Sequence, residues 1–173
     1  MTTLRDTGSV LRHVLATLAY RAAKALRDAP PGFGDFQGEP TVRTPRQIVA
    51  HMGDLMAWGV RMVQGESSWR AEGGGDWDHE VRRFFDGVDA LDRALASHDP
   101  DGYRAESIIQ GPLADALTHV GQLAMLRGAA GAPVRPESYA RAEIMVGRVG
   151  PDQAPARYEF EGDASLPRER AGS

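Results

Sequence analysis

Cysteine is absent from the 173 residues, which excludes disulfides, thiolate zinc clusters and a cysteine nucleophile. Any metal must therefore be held by nitrogen and oxygen. An excess of positive charge is missing too: 20 Lys plus Arg stand against 24 Asp plus Glu, for a formal charge of -4. Such a balance offers no basic field for phosphates and argues against nucleic acid as a partner. Long apolar runs are lacking, because His, Asp, Arg and Gln break every hydrophobic segment, and the opening MTTLRDTGSV has no signal-peptide core. The expectation is a soluble cytoplasmic protein with no membrane partner. Several motifs are also missing: HExxH, GxSxG, a glycine-rich phosphate loop and an EF-hand loop. Nor do Glu80, Glu106, Glu137 and Glu143 supply the ExxH pairs of a di-iron bundle.

What is present is an ordinary globular balance, 42% hydrophobic and 25% charged, over a length that suits one domain. That domain is expected over residues 1–150. Residues 151–173 read as a polar, proline-containing tail whose last ten or so residues are expected to be disordered. In the first helix, over 9–28, Val10, Leu11, Val14, Leu15, Leu18, Ala22 and Leu26 recur at helical spacing. It ends at Pro30-Pro31-Gly32, followed by a connecting loop anchored by Phe33 and Phe36. Thr44-Pro45 is a helix start, with Thr as N-cap and Pro at the first helical position, and predicts a second helix over 45–64.

The segment 65–76, with three consecutive glycines, reads as a mobile surface loop. A third helix follows, with Val81, Phe84, Phe85, Val88, Leu91 and Leu95 inward and its charges forming a solvated face. A fourth helix is expected to begin at Gly111-Pro112 and to stop near 128–131, with a short extra helix over 136–147. No alternating strand pattern occurs, so the fold expected is all-α, a four-helix bundle of up-and-down or crossover type.

Read as a helix, the fourth segment puts Asp115 and His119 four residues apart on one face, one turn above the other. Two donors at that spacing can grip one metal ion. In the plainer reading they sit at the edge of the stripe Leu113, Ala116, Leu117, Val120, Leu123 and Leu126 and bond only to each other. Gln122 flanks His119 on the same side as Asp115, and burying such groups without a partner is costly. Gln122 is either a partner that fixes the tautomer of His119 or a surface amide. His51, set among Ile48, Met52 and Leu55 with Trp58 two turns on, is the third candidate ligand. His13, His79 and His98 read as surface or packing residues. Arg21 and Arg127 suit either structural pairing or the steering of an anion, and Trp58, Trp69 and Trp77 read as anchors, with Trp69 able to wall a pocket.

The stretches TPRQIVAHMGDLMAW (44–58) and GPLADALTHVGQLAMLRGAAGAPVRPESYARAEI (111–144), together with LRHVLATLAYRAAKAL in the first helix, resemble the DinB/YfiT-like superfamily of four-helix metalloproteins. The resemblance implies a four-helix bundle of that type with a mononuclear site of one His from the second helix and two groups four apart on the last long helix. His51 matches the first, and His119 matches the histidine that precedes Gly-Gln in a His-x3-His-x-Gly-Gln pattern. The remaining position is Asp115, where the pattern has histidine, giving a two-His, one-carboxylate set.

Three such ligands leave positions open for water or substrate, as catalytic sites do. The resemblance favours zinc or nickel, which would polarise a bound water or thiol, while the carboxylate also suits iron or manganese. It implies a metal-dependent transferase or hydrolase, similar to thiol S-transferases. Its substrate would be a small molecule, a low-molecular-weight thiol among the candidates, and a homodimer is expected. The competing readings are a non-enzymatic binding or interaction protein of the bacterial stress response, with a structural or vestigial site, and a non-haem iron oxygenase.

Overall fold

The computed structural model describes residues 6–98 and 100–161, and among these the fold is helical, with an isolated antiparallel bridge between Glu137 and Glu159 as its extended pairing. Helix α1 spans Thr7–Leu26 and is capped by Asp6, whose side chain accepts from the Ser9 N–H. Helix α2 spans Pro45–Val63 and starts where the sequence predicts. Thr44 and Gln47 form a reciprocal capping box that satisfies two of the orphan donors at the helix start. Helix α3 spans Trp77–Ser97 behind an Asp76 cap.

The fourth helical rod differs from expectation. It begins nine residues earlier than Gly111, as α4, Gly102–Ile108, capped by Asp101. It then passes through a π-helical turn, Ile109–Leu113, and continues as α5, Ala114–Ala129. Pro112 lies inside the rod rather than at its start. Proline has no N–H for an i→i−4 bond and its ring crowds the preceding turn, and the widened π turn accommodates both defects without ending the helix.

α1 packs against α3 and α5, and α2 packs against the same two helices. α1 and α2 therefore stand diagonally, which requires the connection between them to cross the bundle end. In that connection Phe33 is buried, stacks on Phe36 and meets Trp77 edge to face at 5.6 Å between centroids. The core between the helices includes Leu11, Leu15 and Leu18 of α1, Ile48, Met52 and Met56 of α2, Phe84 and Leu91 of α3, and Leu113 and Leu123 of the long rod. Each such side chain contributes about 1.5–3 kcal/mol by leaving water. No helix among the described residues is long and apolar enough to cross a membrane.

Past α5 the chain makes one 3-10 turn, Tyr139–Arg141, where a short helix was expected over 136–147. The Tyr139 N–H already bonds back to the Glu137 carbonyl and the Ser138 N–H bonds across to Tyr158, so the backbone groups here are committed outside a helix. The segment is held to α1 by Lys24, which is buried and donates to Glu137 at 2.8 Å and to Glu159 at 2.7 Å. Tyr20 donates to the other oxygen of Glu137. The disorder expected for the last ten or so residues falls outside the described residues.

Candidate metal centre

α2 and α5 face each other across one seam of the bundle, and His51, Asp115 and His119 occupy its edge. Their neighbours Ile48, Met52, Ala116 and Val120 turn into the core, so the three polar side chains are left at the flank where the two helices meet. Asp115 uses both oxygens: Oδ2 lies 3.2 Å from Nε2 of His51, and Oδ1 lies 3.3 Å from Nε2 of His119. The imidazoles stand nearly perpendicular, 5.0 Å apart between centroids. One donor atom from each residue lies within 4.8 Å of the others, a grouping that could hold a metal ion. The three residues singled out in the sequence are thus brought together.

Their exposure is graded. The His119 side chain is 8% exposed, that of His51 21%, and that of Asp115 45%. The group is anchored in the bundle on its histidine side and open to solvent on its carboxylate side.

Gln122, one turn beyond His119, turns its carboxamide oxygen to Nδ1 at 2.7 Å. An oxygen can only accept, so Nδ1 carries the proton and Nε2 is left with a lone pair. That lone pair faces a carboxylate oxygen, and two acceptors gain nothing from their proximity. A proton or a metal cation is what the contact calls for, and a metal ion serves all three donors at once. Of the remaining histidines, His13, His79 and His98 are exposed and take no part in the group.

The glycine-rich loop is pinned rather than free. Trp58 donates from Nε1 to the Ser67 carbonyl, Arg61 donates to that of Ser68, and the Glu72 N–H donates to Asp54. Further along, the N–H groups of Gly74 and Gly75 both donate to Oε1 of Glu80, at 2.8 Å and 2.6 Å. A Cβ on Gly73 would lie 2.7 Å from that of Ala50, so glycine is what lets the loop lie flat on α2. The result is that Trp69 covers His51, with 5.5 Å between centroids, and meets Trp58 edge to face at 5.7 Å. A cavity of about 240 Å³ beside it has His51, Asp54 and Arg43 in its wall.

Beneath the loop lies a charge network where a solvated helix face was expected. Glu80 is fully buried, and Arg83 joins it at 2.7 Å to Asp54 at 2.8 Å while also donating to the Ala50 carbonyl. Burial by itself would raise the pKa of Glu80. The N–H of Gly74, the Arg83 guanidinium and the N–H of Gly75 outweigh it, and the carboxyl titrates below its ordinary value. A second buried carboxylate of α3, Asp92, receives two hydrogen bonds from Arg12. The sequence held a signal for both: Glu80 falls on the stripe of Phe84, Val88 and Leu91, and Asp92 on that of Phe85 and Val88.

Arg127 is buried and spent on the backbone, donating to the carbonyls of Ala25, Arg27, Asp28 and Ala132. It joins the ends of α1 and α5 and is not placed to steer a substrate. Arg21 lies over the ring of Tyr139 at 4.2 Å. Compared with protein-family models, curated proteins and solved structures, the chain matches none.

Proposed function

We propose that the chain is a metal-binding protein of the DinB/YfiT-like kind, in which His51, Asp115 and His119 hold one divalent ion. We further propose that the ion serves a metal-dependent transferase or hydrolase reaction on a small molecule. The observation that carries this reading is the convergence of three donor atoms from two helices within 4.8 Å of one another. The residues fit the group. Two imidazoles, which are borderline donors, and one harder carboxylate suit zinc or nickel and are compatible with iron or manganese, and Nδ1 of His119 is already committed to Gln122.

Such an ion, when bound, supplies Lewis acidity to an oxygen or sulfur ligand. The rest is supplied by the chain. Gln122 keeps the proton on Nδ1 of His119, the indole of Trp69 shields one face of His51, and the half-exposed Asp115 leaves the centre reachable from solvent. That access supports a catalytic role over a closed structural one. For the substrate, a low-molecular-weight thiol with an acceptor is the reading that goes with the resemblance.

Chelation and reconstitution test the proposal. The melting temperature should fall on chelation and recover with zinc or nickel, and turnover of a thiol and its acceptor, or of a hydrolysable ester, should follow metal content. A shift in melting with no metal-dependent turnover would keep the metal site and discard the enzyme.

A further inference from the structure

A cleft of about 1110 Å³ opens between the C-terminal half of α2 and the α4 end of the long rod. Its floor is Trp58 and Met62 from α2 and Gly111 from the π turn. Trp58 follows His51 by seven residues and Gly111 precedes Asp115 by four, so the floor lies roughly 6–11 Å along the seam from the donor group at ~1.5 Å per residue. A Cβ on Gly111 would stand 3.1 Å and 3.2 Å from Cζ3 and Cη2 of Trp58. The indole therefore occupies the space a side chain would take and forms a flat apolar platform. Trp69 stands between this platform and His51, touching both Trp58 and the imidazole.

Three charged side chains line the cleft, and they differ in what they have left to give. Glu66 accepts from Ser68 Oγ at 2.7 Å and from Arg70 at 3.1 Å. Asp101 is engaged at the start of α4, accepting the Arg104 N–H at 2.9 Å. Arg104 has an ion pair from Nε to Asp101 at 3.7 Å, too long for a hydrogen bond. Its Nη1 and Nη2 meet no acceptor among the described residues, and they lie against Gly65 across the cleft. A guanidinium whose Nη1 and Nη2 are uncommitted, beside an apolar platform, suits a carboxylate, a sulfonate or another oxyanion attached to an apolar body.

We propose that this cleft binds an elongated organic anion, its apolar body on Trp58 and Met62, its charged end on Arg104 and its other end directed past Trp69 to the metal centre. Only the last clause rests on the metal reading. An acid group on the substrate would be recognised about two to three helical turns from the chemistry, so Arg104 sets which molecules enter and not what happens to them.

Two probes that share an aromatic body and differ in one charge test it: 8-anilinonaphthalene-1-sulfonate and the uncharged N-phenyl-1-naphthylamine, titrated by fluorescence against the full chain. The expected result is saturable binding of both, with the sulfonate preferred by about tenfold or more, the scale of a charge-assisted hydrogen bond. Arg104→Gln should abolish the preference and leave the uncharged probe unchanged, and Gly111→Val, which pushes on Trp58, should weaken both. His51→Ala and His119→Ala should bind both probes as the wild type does, so a failed metal site and a failed cleft give different patterns. Circular dichroism melts accompany each variant, because the sulfonate probe also lights up on loosened cores. An unchanged preference in Arg104→Gln, or unchanged binding of both probes in Gly111→Val, overturns the proposal.

Discussion

Nδ1 of His119 and Oε1 of Gln122 lie 2.7 Å apart on successive turns of α5, and that single contact fixes which nitrogen of His119 is free. With the proton held on the Gln122 side, Nε2 is presented to Asp115 as a donor of electrons. A carboxamide turned the other way would reverse the tautomer and place a proton on the nitrogen proposed to hold the ion.

Gln122 should therefore matter to metal affinity without mattering to the fold. Its side chain is exposed, so Gln122→Leu should melt within a degree or two of the wild type. Competition against a chromophoric zinc chelator should show affinity lowered on the order of 10–100-fold. Gln122→Glu, which keeps an acceptor, should retain most of it.

Glu80 makes the loop over His51 dependent on pH. Its folded pKa is depressed, so its contribution to stability is complete above the ordinary glutamate value of about 4.3 and is lost as the pH falls through the lower folded value. Glu80→Gln should cost on the order of 2 kcal/mol at neutral pH by removing charge-assisted hydrogen bonds. The gap between variant and wild type in urea midpoint should narrow as the buffer is taken below that range. Trp69 emission should report the loosened loop in the same titration.

Arg127 predicts a purely structural defect. Arg127→Met leaves the carbonyls of Ala25, Arg27, Asp28 and Ala132 without their donor and should cost about 3 kcal/mol in urea unfolding. Arg127→Lys should recover only part of it, because one ammonium cannot span four carbonyls as the planar fork does. Metal stoichiometry should be unchanged in both.

Lys24 should behave as the latch of the segment after α5. Lys24→Met strips buried Glu137 of its cation, while Tyr20 remains on Glu137 and Arg135 on Glu159. A buried carboxylate left without its partner costs roughly 3–5 kcal/mol. Limited proteolysis should then cut between residues 133 and 161 faster than in the wild type, with α2 and α3 still protected.

These cases also show where sequence was informative. Thr44, Pro45 and Gln47 carry a complete local signal, and α2 starts there. The spacing of Asp115 and His119 is likewise local, and the pairing with His51 needs only that α2 and α5 share a seam. Gly111-Pro112 misled because proline usually opens a helix, whereas here Asp101 opens it and a π turn absorbs the proline. For the buried charges the stripe of α3 marked the positions but not the partners: Glu80 and Asp92 find their cations and loop partners only through tertiary contact, Arg12 lying 80 residues before Asp92. Trp69 could be placed over His51 only once the hydrogen bonds of Asp54 and Glu80 to the loop were known.

The most direct measurement is elemental analysis of protein purified without a metal-binding tag, run beside His51→Ala, Asp115→Ala and His119→Ala. A single divalent ion per wild-type chain, lost from each variant while the helical circular dichroism is retained, is the predicted result. A wild-type chain that takes up no divalent ion when offered zinc or nickel, or variants that keep the full complement, would contradict the assignment of these three side chains.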